Sequence, residues 1–220
     1  MGNVTNKRID IAFLHTGEVH VNTFDVLVKK KRSSLNISHC VMPELLTHAI
    51  ELGIDHDLKS TMFNTINNLS QNARMVVCTC SSIGGVAEEF DGLNNTIVKR
   101  IDRAMADKAV LDGNKILVAA ALQSTIDPTI GLILDSATKV NKNIIVSHSV
   151  IPDAWAYFEQ GDMTTYHQSI ARYLNTIPID ADIIVLAQAS MAGCSTYFTK
   201  AIPILSSPDI GVTEAITSLS

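Results

Sequence analysis

The 220-residue sequence is poor in aromatic residues and has no basic patch. Aromatic residues make up 5% of the chain, 17 Lys and Arg stand against 22 Asp and Glu, and the formal net charge is −5. Proteins that bind nucleic acid usually carry a clustered positive charge. The only basic run, residues 29–32, is interpreted as a solvated helix end. This composition argues against nucleic acid as a partner.

Long apolar segments and a cysteine framework are also missing. No apolar run reaches the ~18 residues needed to cross a bilayer, and the chain is polar up to Ile9, unlike a secretory signal. The four cysteines, Cys40, Cys78, Cys80 and Cys194, show neither zinc-site spacing nor the pattern of a secreted disulfide scaffold. We therefore expect a cytoplasmic protein with reduced thiols, no metal and no membrane partner.

One stretch carries a thiol at a turn. The apolar run Met75–Cys78 predicts a buried parallel strand, and the segment Val86–Phe90 predicts a helix after the glycine pair 84–85. Cys80 then lies at the strand-to-helix turn. Helix N-termini favour thiolates and bind carboxylates, because their N–H groups and dipole attract negative charge. The alternative interpretation is an inert cysteine buried at the strand end.

An internal repeat makes the functional interpretation stronger. Three blocks recur in the same order at offsets of 108 (119 − 11), 109 (147 − 38) and 108 (181 − 73): residues 11–16 with 119–124, 38–44 with 147–153, and 73–85 with 181–193. In the last pair Gln188 occupies the position of Cys80. A period this long indicates a duplicated domain rather than a solenoid.

The repeat predicts an α/β fold with two pseudo-symmetric halves, each a short parallel sheet flanked by helices. We place the first half at residues 1–110 and the second at 111–209, with a last helix at about 210–220 that packs back on the first half. The active site is expected in a cleft between the halves. Ligands of open α/β sheets bind at the carboxyl ends of the strands, which selects His15, Thr16, Gln123, Ser124, Thr125 and Gln188.

The sequence leaves the roles of two pairs of residues open. His39 and His148 share the motif Ser-His-x-Val-x-Pro and are possible site residues, although common ancestry of the halves or a structural role could also explain them. Arg100 and Arg103 are interpreted as surface ion-pair residues, with contact to an anion as the alternative.

These motifs resemble those of the aspartate/glutamate/hydantoin racemase superfamily, over nearly the whole chain. Cys80-Ser81-Ser82 matches its first Cys-Asn-Thr motif, and Leu186-Ala187-Gln188-Ala189 matches its second Leu-Gly-Cys-Thr motif. His15-Thr16-Gly17 stands where glutamate racemases have Asp-Ser-Gly. The superfamily also includes maleate isomerase and arylmalonate decarboxylase.

The resemblance implies a cofactor-independent enzyme that acts on a small carboxylate and forms a homodimer or a higher homo-oligomer. In such racemases two cysteines flank the α-carbon, so Cys80 would be one acid/base group and His15 a second catalytic candidate. The residues implied as carboxylate binders are Ser81, Ser82, Thr125, Ala189 and Ser190.

The chain departs from this pattern at the second cysteine. Gln188 cannot exchange a proton at ordinary pH, and Cys194, six residues further on, is a poor substitute. The group on the other face of the substrate would then be His15, His148 or a water held by Gln188. Three functions follow as hypotheses: a racemase or isomerase acting next to a carboxylate, a single-thiol decarboxylase or lyase, and a non-catalytic binder of small anions.

Overall fold

The structure is a computed structural model that describes residues 8–220. Within this range the chain divides into two compact units. The first unit contains residues 8–101 and 212–220, and the second contains residues 102–211.

The first unit is built on four parallel strands in the order β2-β1-β3-β4. Its elements are β1 (Ile9–His15), α1 (Val19–Arg32), β2 (Ile37–Val41), α2 (Pro43–Glu51), α3 (His56–Ser70), β3 (Ala73–Cys78), α4 (Ser81–Glu88), a 3-10 turn (Leu93–Asn95) and β4 (Ile97–Arg100). The two central strands are buried on both faces, which explains why they appear in the sequence as continuous apolar runs.

Successive side chains of β1 pack on opposite faces of the sheet, in two different layers of the first unit. Leu14 joins the apolar cluster formed with helices α3 and α4. Phe13 lies on the opposite face and packs on Phe24 of α1, with ring centroids 5.2 Å apart. Because successive residues of a strand alternate between faces, His15 shares the face of Phe13 and lies on the α1 side of the sheet.

The second unit repeats the same strand order, β6-β5-β7-β8. Its elements are α5 (Arg103–Asp112), β5 (Lys115–Ala120), a 3-10 turn (Gln123–Thr125), α6 (Ile126–Lys139), β6 (Ile145–Val150), α7 (Ala154–Glu159), α8 (Met163–Thr176), β7 (Ile183–Leu186), a 3-10 helix (Ala189–Thr196), β8 (Ile204–Leu205) and the start of α9 (Ser207–Ser218). Two halves with matching parallel sheets flanked by helices confirm the predicted fold class.

Strand pairing corrects one part of the predicted repeat. Ile11 pairs with Met75 in the first sheet, and Ile116 pairs with Ile183 in the second. The offset between the third strands is therefore 108 (183 − 75), as expected, but the offset between the first strands is 105 (116 − 11). The predicted match of residues 11–16 with 119–124 is wrong by three residues, because runs of Ala, Leu and Val look alike after such a shift.

The division into units also differs from the predicted limit at residues 110/111. Helix α5 lies in the second unit, where Met105 and Ala109 join the apolar cluster that contains Ile133 of α6. Residues 212–220 lie in the first unit: Arg74 Nη2 donates to the Leu219 carbonyl oxygen at 2.8 Å.

Candidate active site

Cys80 lies directly before the first residue of helix α4. Its backbone is extended (φ −97°, ψ 118°), and the helix begins at Ser81, five residues earlier than the predicted start at Val86. Ser81 and Ser82 are both buried in the first helical turn. The first N–H groups of an α-helix have no partner within the helix, so the thiol is placed beside a region of positive electrostatic potential.

The two cysteines around this turn have different surroundings. Cys78 is 1% exposed and packs in the apolar cluster with Leu14 and Val76. Cys80 is only half-buried. The Cys78 thiol donates to the Cys80 carbonyl oxygen at 3.7 Å. Solvent and ligands can therefore reach Cys80 more readily than Cys78.

A buried cation supports the first turn of α4. Arg100, at the end of β4, is 6% exposed and donates from Nη2 to the Ser81 carbonyl oxygen at 3.3 Å. A Cβ atom on Gly84 would lie 3.0 Å from Arg100 Cβ, so the glycine permits this close approach. Arg100 is therefore buried and not a surface residue as predicted, whereas Arg103 forms the predicted type of ion pair, with Asp135 of α6.

His15 is the centre of a hydrogen-bonded chain. Its ring is fully buried, with Nδ1 2.8 Å from Thr79 Oγ1 and Nε2 2.8 Å from His39 Nδ1. Thr79 Oγ1 also lies 3.3 Å from the Leu14 carbonyl oxygen, to which it can donate. Both ring nitrogens of His15 are thus engaged by protein atoms, and His15 touches the residue that precedes Cys80.

The histidines of this layer are held in the neutral state. Burial lowers the pKa of His15 to about 3 and that of His20, whose ring centroid is 6.1 Å from that of His15, to about 4. Burial also lowers the pKa of His39, while the charges of Asp25 and Lys29 on α1 act on it in opposite directions. The chain of imidazoles is therefore uncharged at neutral pH.

Gln188 occupies the corresponding turn after β7. It is 8% exposed, and its Oε1 accepts a hydrogen bond from the Ala121 N–H at 3.0 Å. The eight residues after it form a 3-10 helix rather than an α-helix. Ala189 is buried, and Ser190 Oγ lies 3.1 Å from the Tyr166 hydroxyl. The side chain of Gln188 thus joins the turns that follow two neighbouring strands, β7 and β5.

The hydroxyl-rich loop after β5 is only partly available. Gln123 is exposed, Ser124 is half-buried and Thr125 is buried. Thr125 Oγ1 donates to the Leu122 carbonyl oxygen at 2.7 Å. This hydroxyl can therefore act towards a ligand only as a hydrogen-bond acceptor. In the first unit, Thr16 directly follows β1 and is half-buried.

His148 has none of the surroundings of His39. It is exposed on the edge strand β6 and lines a cavity of ≈ 310 Å³ with Tyr173 and with residues 177–180, which lead into the amino end of β7. Strand pairing places Ala120 where the first unit has His15. The structure therefore does not bring His148 to the turn that holds Gln188.

Cys194 does not replace the missing thiol. It is fully buried in an apolar cluster, and burial raises its pKa to about 12. A thiol with this pKa carries almost no thiolate at neutral pH.

Several supporting residues were not singled out from the sequence. These residues are Thr79, between the two cysteines, and Tyr166 and His167 of α8. His167 Nε2 lies 2.8 Å from the Ser190 carbonyl oxygen. The sequence signal for Thr79 is a hydroxyl residue next to the thiol. Tyr166 and His167 lie 24 and 23 positions from Ser190, so the sequence gives no signal that they contact it.

Comparison with solved structures identifies the fold. The chain is similar to a glutamate racemase isoform from Bacillus anthracis (TM-score 0.74, 16% identity, 97% of this chain and 82% of that chain). It is also similar to an aspartate racemase from Picrophilus torridus (TM-score 0.64, 16% identity, 96% and 94%) and to an allantoin racemase from Klebsiella pneumoniae (TM-score 0.61, 13% identity, 95% and 86%). The resemblance to the aspartate/glutamate/hydantoin racemase superfamily is confirmed at the level of the fold.

No protein-family model and no curated protein matches the chain. Within residues 8–220, no group of three or more His, Cys, Asp or Glu side chains is arranged to hold a metal ion. None of the helices in this range is both long and apolar enough to cross a membrane.

Proposed function

We propose that the protein is a cofactor-independent isomerase or racemase that moves a proton at the carbon next to the carboxylate of a small acid, with Cys80 as the acid/base group. The observation that carries this proposal is a half-buried thiol at the residue before α4, at the carboxyl end of a central strand, in a chain whose fold is shared with racemases.

The chemistry assigned to Cys80 is a reversible proton transfer. The thiolate takes the α-proton from one face, the C–H electron pair moves into the carboxylate, and water delivers a proton to the opposite face of the carbanion; the thiol of Cys80 then returns its proton to solvent. The first turn of α4, with Ser81 and Ser82, favours the negative charge on the thiolate and on the substrate. We propose that Thr125, Ala189 and Ser190 contribute carboxylate-binding groups.

His15 is assigned a positioning role in this scheme. Both of its ring nitrogens lie 2.8 Å from protein partners, and one partner is Thr79, the residue before Cys80. A direct acid/base role would require His15 to exchange one of these bonds for a bond to substrate. His39 completes the chain, and we propose that His15 and His39 together fix Thr79 and the turn that carries the thiol.

A single-thiol decarboxylase or lyase is the second candidate. It is favoured by the amide of Gln188, which stands where racemases have their second cysteine and is tied to Ala121. In this reaction the C–C bond to one carboxylate breaks, carbon dioxide leaves, and the thiol of Cys80 protonates the resulting carbanion. Water then restores the proton on Cys80. A binder of small anions without turnover is the third possibility.

Incubation with small amino, hydroxy and malonic acids in D₂O, followed by NMR, tests these functions. An isomerase replaces the α-hydrogen by deuterium without net consumption, whereas a decarboxylase consumes its substrate and releases one deuterated product. Cys80→Ser should stop either reaction, and Cys40→Ser, which changes another half-buried thiol of the same unit, should not. Stabilisation by an acid without any turnover would leave only the binder.

We further propose a cytoplasmic location and a homodimer or higher homo-oligomer, as the resemblance implies. Light scattering coupled to size-exclusion chromatography checks the assembly: a mass close to 23.8 kDa, that of one chain, would contradict it.

A further inference from the structure

The orientation of the Gln188 amide is fixed by the hydrogen bond that it receives from the backbone of the loop after β5. An N–H group, that of Ala121, points at one terminal atom of the amide at 3.0 Å, so that atom must be the carbonyl oxygen. The NH₂ group therefore occupies the other position. The side chain of Gln188 therefore presents a hydrogen-bond donor at this second position.

The NH₂ group of Gln188 is buried without a hydrogen-bond partner among the described residues. The whole side chain is 8% exposed, so water does not readily satisfy it. Buried donors in proteins are almost always paired, and an unpaired one calls for a specific explanation, such as a functional role or a bound water or ion. The unpaired donor does not serve its own helix either, because the 3-10 helix that follows has no side-chain cap.

The surroundings of this donor select an acceptor of negative charge. The backbone N–H groups of Ala189 and Ser190 begin the eight-residue 3-10 helix, and such groups favour anions. The hydroxyl of Ser190 is paired with Tyr166, whose pKa is raised by burial, so the phenol stays uncharged. No negative charge is therefore introduced by this hydroxyl pair.

We propose that Gln188 Nε2, with the first N–H groups of the 3-10 helix, forms a binding site for a carboxylate oxygen of a small acid. The choice of a carboxylate as ligand rests on the proposed function, whereas the donor itself rests on the geometry of Gln188 alone. The amide of Gln188 thus supplies binding at a position where a second thiol would transfer a proton.

Titration of the ¹⁵N-labelled protein with malonate tests the site. The side-chain NH₂ resonances of Gln188 should shift on binding. Gln188→Glu is nearly isosteric and keeps an oxygen to accept from Ala121, but it replaces the donor by an anionic acceptor. It should weaken malonate binding by about 10- to 100-fold, the usual effect of losing a hydrogen bond to a charged group. Gln168→Glu, at an exposed glutamine on α8, is the matched control and should bind as the wild type does.

Two results would overturn the site: no change of the Gln188 amide resonances with malonate, or equal malonate affinity in the wild type and Gln188→Glu. The first result is independent of how any variant folds. Cys80→Ser should retain malonate binding. Turnover without a role for Gln188 in binding would refute this inference alone, and binding at Gln188 without turnover of any acid would refute the proposed catalysis alone.

Discussion

The turns after β3 and β7 have the same backbone setting but different chemistry. The N–H of Thr79 donates to the Leu14 carbonyl oxygen at 2.9 Å, and the N–H of Ala187 donates to the Ala119 carbonyl oxygen at the same distance. The next residue is a half-buried thiol in the first unit and a buried amide, Gln188, in the second. The two turns therefore share this backbone hydrogen bond and differ in the side chain that follows it.

The groups that support the two turns also differ. Neutral imidazoles and Thr79 support the turn after β3. Arg100 donates a hydrogen bond to a carbonyl oxygen in the first helical turn of α4. The second turn is supported by a buried tyrosine and by His167, both from α8. Because each set is built from different elements, a side chain moved from one turn to the other would meet different neighbours. The two turns are therefore expected to perform different tasks.

The largest expected effect concerns the thiol. Cys80→Ser should lower turnover of any accepted acid by about 10²–10⁴-fold, since a positioned acid/base group contributes this much. Steady-state kinetics with a purified, folded variant measures it. A loss of the same size in Gln188→Met with Cys80→Ser unaffected would reverse the assignment of the two turns.

Thiol reactivity offers a second way to separate the turns. Iodoacetamide should alkylate Cys80 first, because Cys78 and Cys194 are buried and burial raises the pKa of Cys194 to about 12. Cys40 is also half-buried, but burial and Glu44 raise its pKa. Peptide mass spectrometry over time gives the order of labelling. Faster modification of Cys194 than of Cys80 would move the reactive thiol to the second turn.

Two glycines related by the repeat should respond in opposite ways to alanine. A Cβ atom on Gly193 would lie 2.4 Å from the ring of His167, whereas one on Gly85 would make an ordinary 3.6 Å contact with Arg100. Gly193→Ala should destabilise the protein by about 1–3 kcal/mol through overpacking. Gly85→Ala should stabilise it by up to about 1 kcal/mol, because alanine favours helix.

Urea denaturation measures both changes in the free energy of unfolding. Equal effects of the two substitutions would show that the crowding of Gly193 against His167 is not real.

A further expected effect is a pH dependence of the free energy of unfolding, confined to the first unit. The folded-state pKa values of His15 and His20, about 3 and about 4, lie below the ordinary value of 6.5. The unfolded chain therefore binds protons first, so this contribution to stability is complete above pH 6.5 and is lost as the pH falls. The free energy of unfolding should decrease between pH 6.5 and 5, above the range in which most carboxylates titrate.

Unfolding curves of histidine variants check this dependence. His20→Phe keeps a ring against Phe24 and should flatten the slope, while His148→Gln, at an exposed position of the second unit, should leave it unchanged. A slope that survives His20→Phe and is removed by His148→Gln would contradict the assignment.

The sequence was sufficient for the fold class and for locating both turns, because parallel strands buried on two faces leave apolar runs that end in small polar residues. It misplaced the first strand of the second half by three residues, since an apolar run contains no internal landmark for register. It also placed the start of α4 at Val86 rather than Ser81, because Gly84 and Gly85 are poor helix formers. The structure overrides that propensity by packing Gly84 against Arg100.

The polar partners at the site could not be predicted in the same way. Thr79 lies 64 residues from His15, and Ala121 lies 67 residues from Gln188. Such pairs depend on which strands become neighbours and in which register, and sequence spacing does not encode this directly. The sequence selects Gln188 as a site residue in place of a cysteine, but its role as a fixed donor depends on the position of the Ala121 N–H.

The most direct test of the difference between the turns is the stereochemistry of deuterium uptake in D₂O, compared between the wild type and Gln188→Cys for one accepted acid. The wild type should label one enantiomer much faster than the other, because only Cys80 presents a thiol. Gln188→Cys should bring the two rates closer together, since it restores a thiol at the second turn. Equal labelling of both enantiomers by the wild type, or an unchanged ratio in Gln188→Cys, would contradict the assignment of chemistry to the first turn and binding to the second.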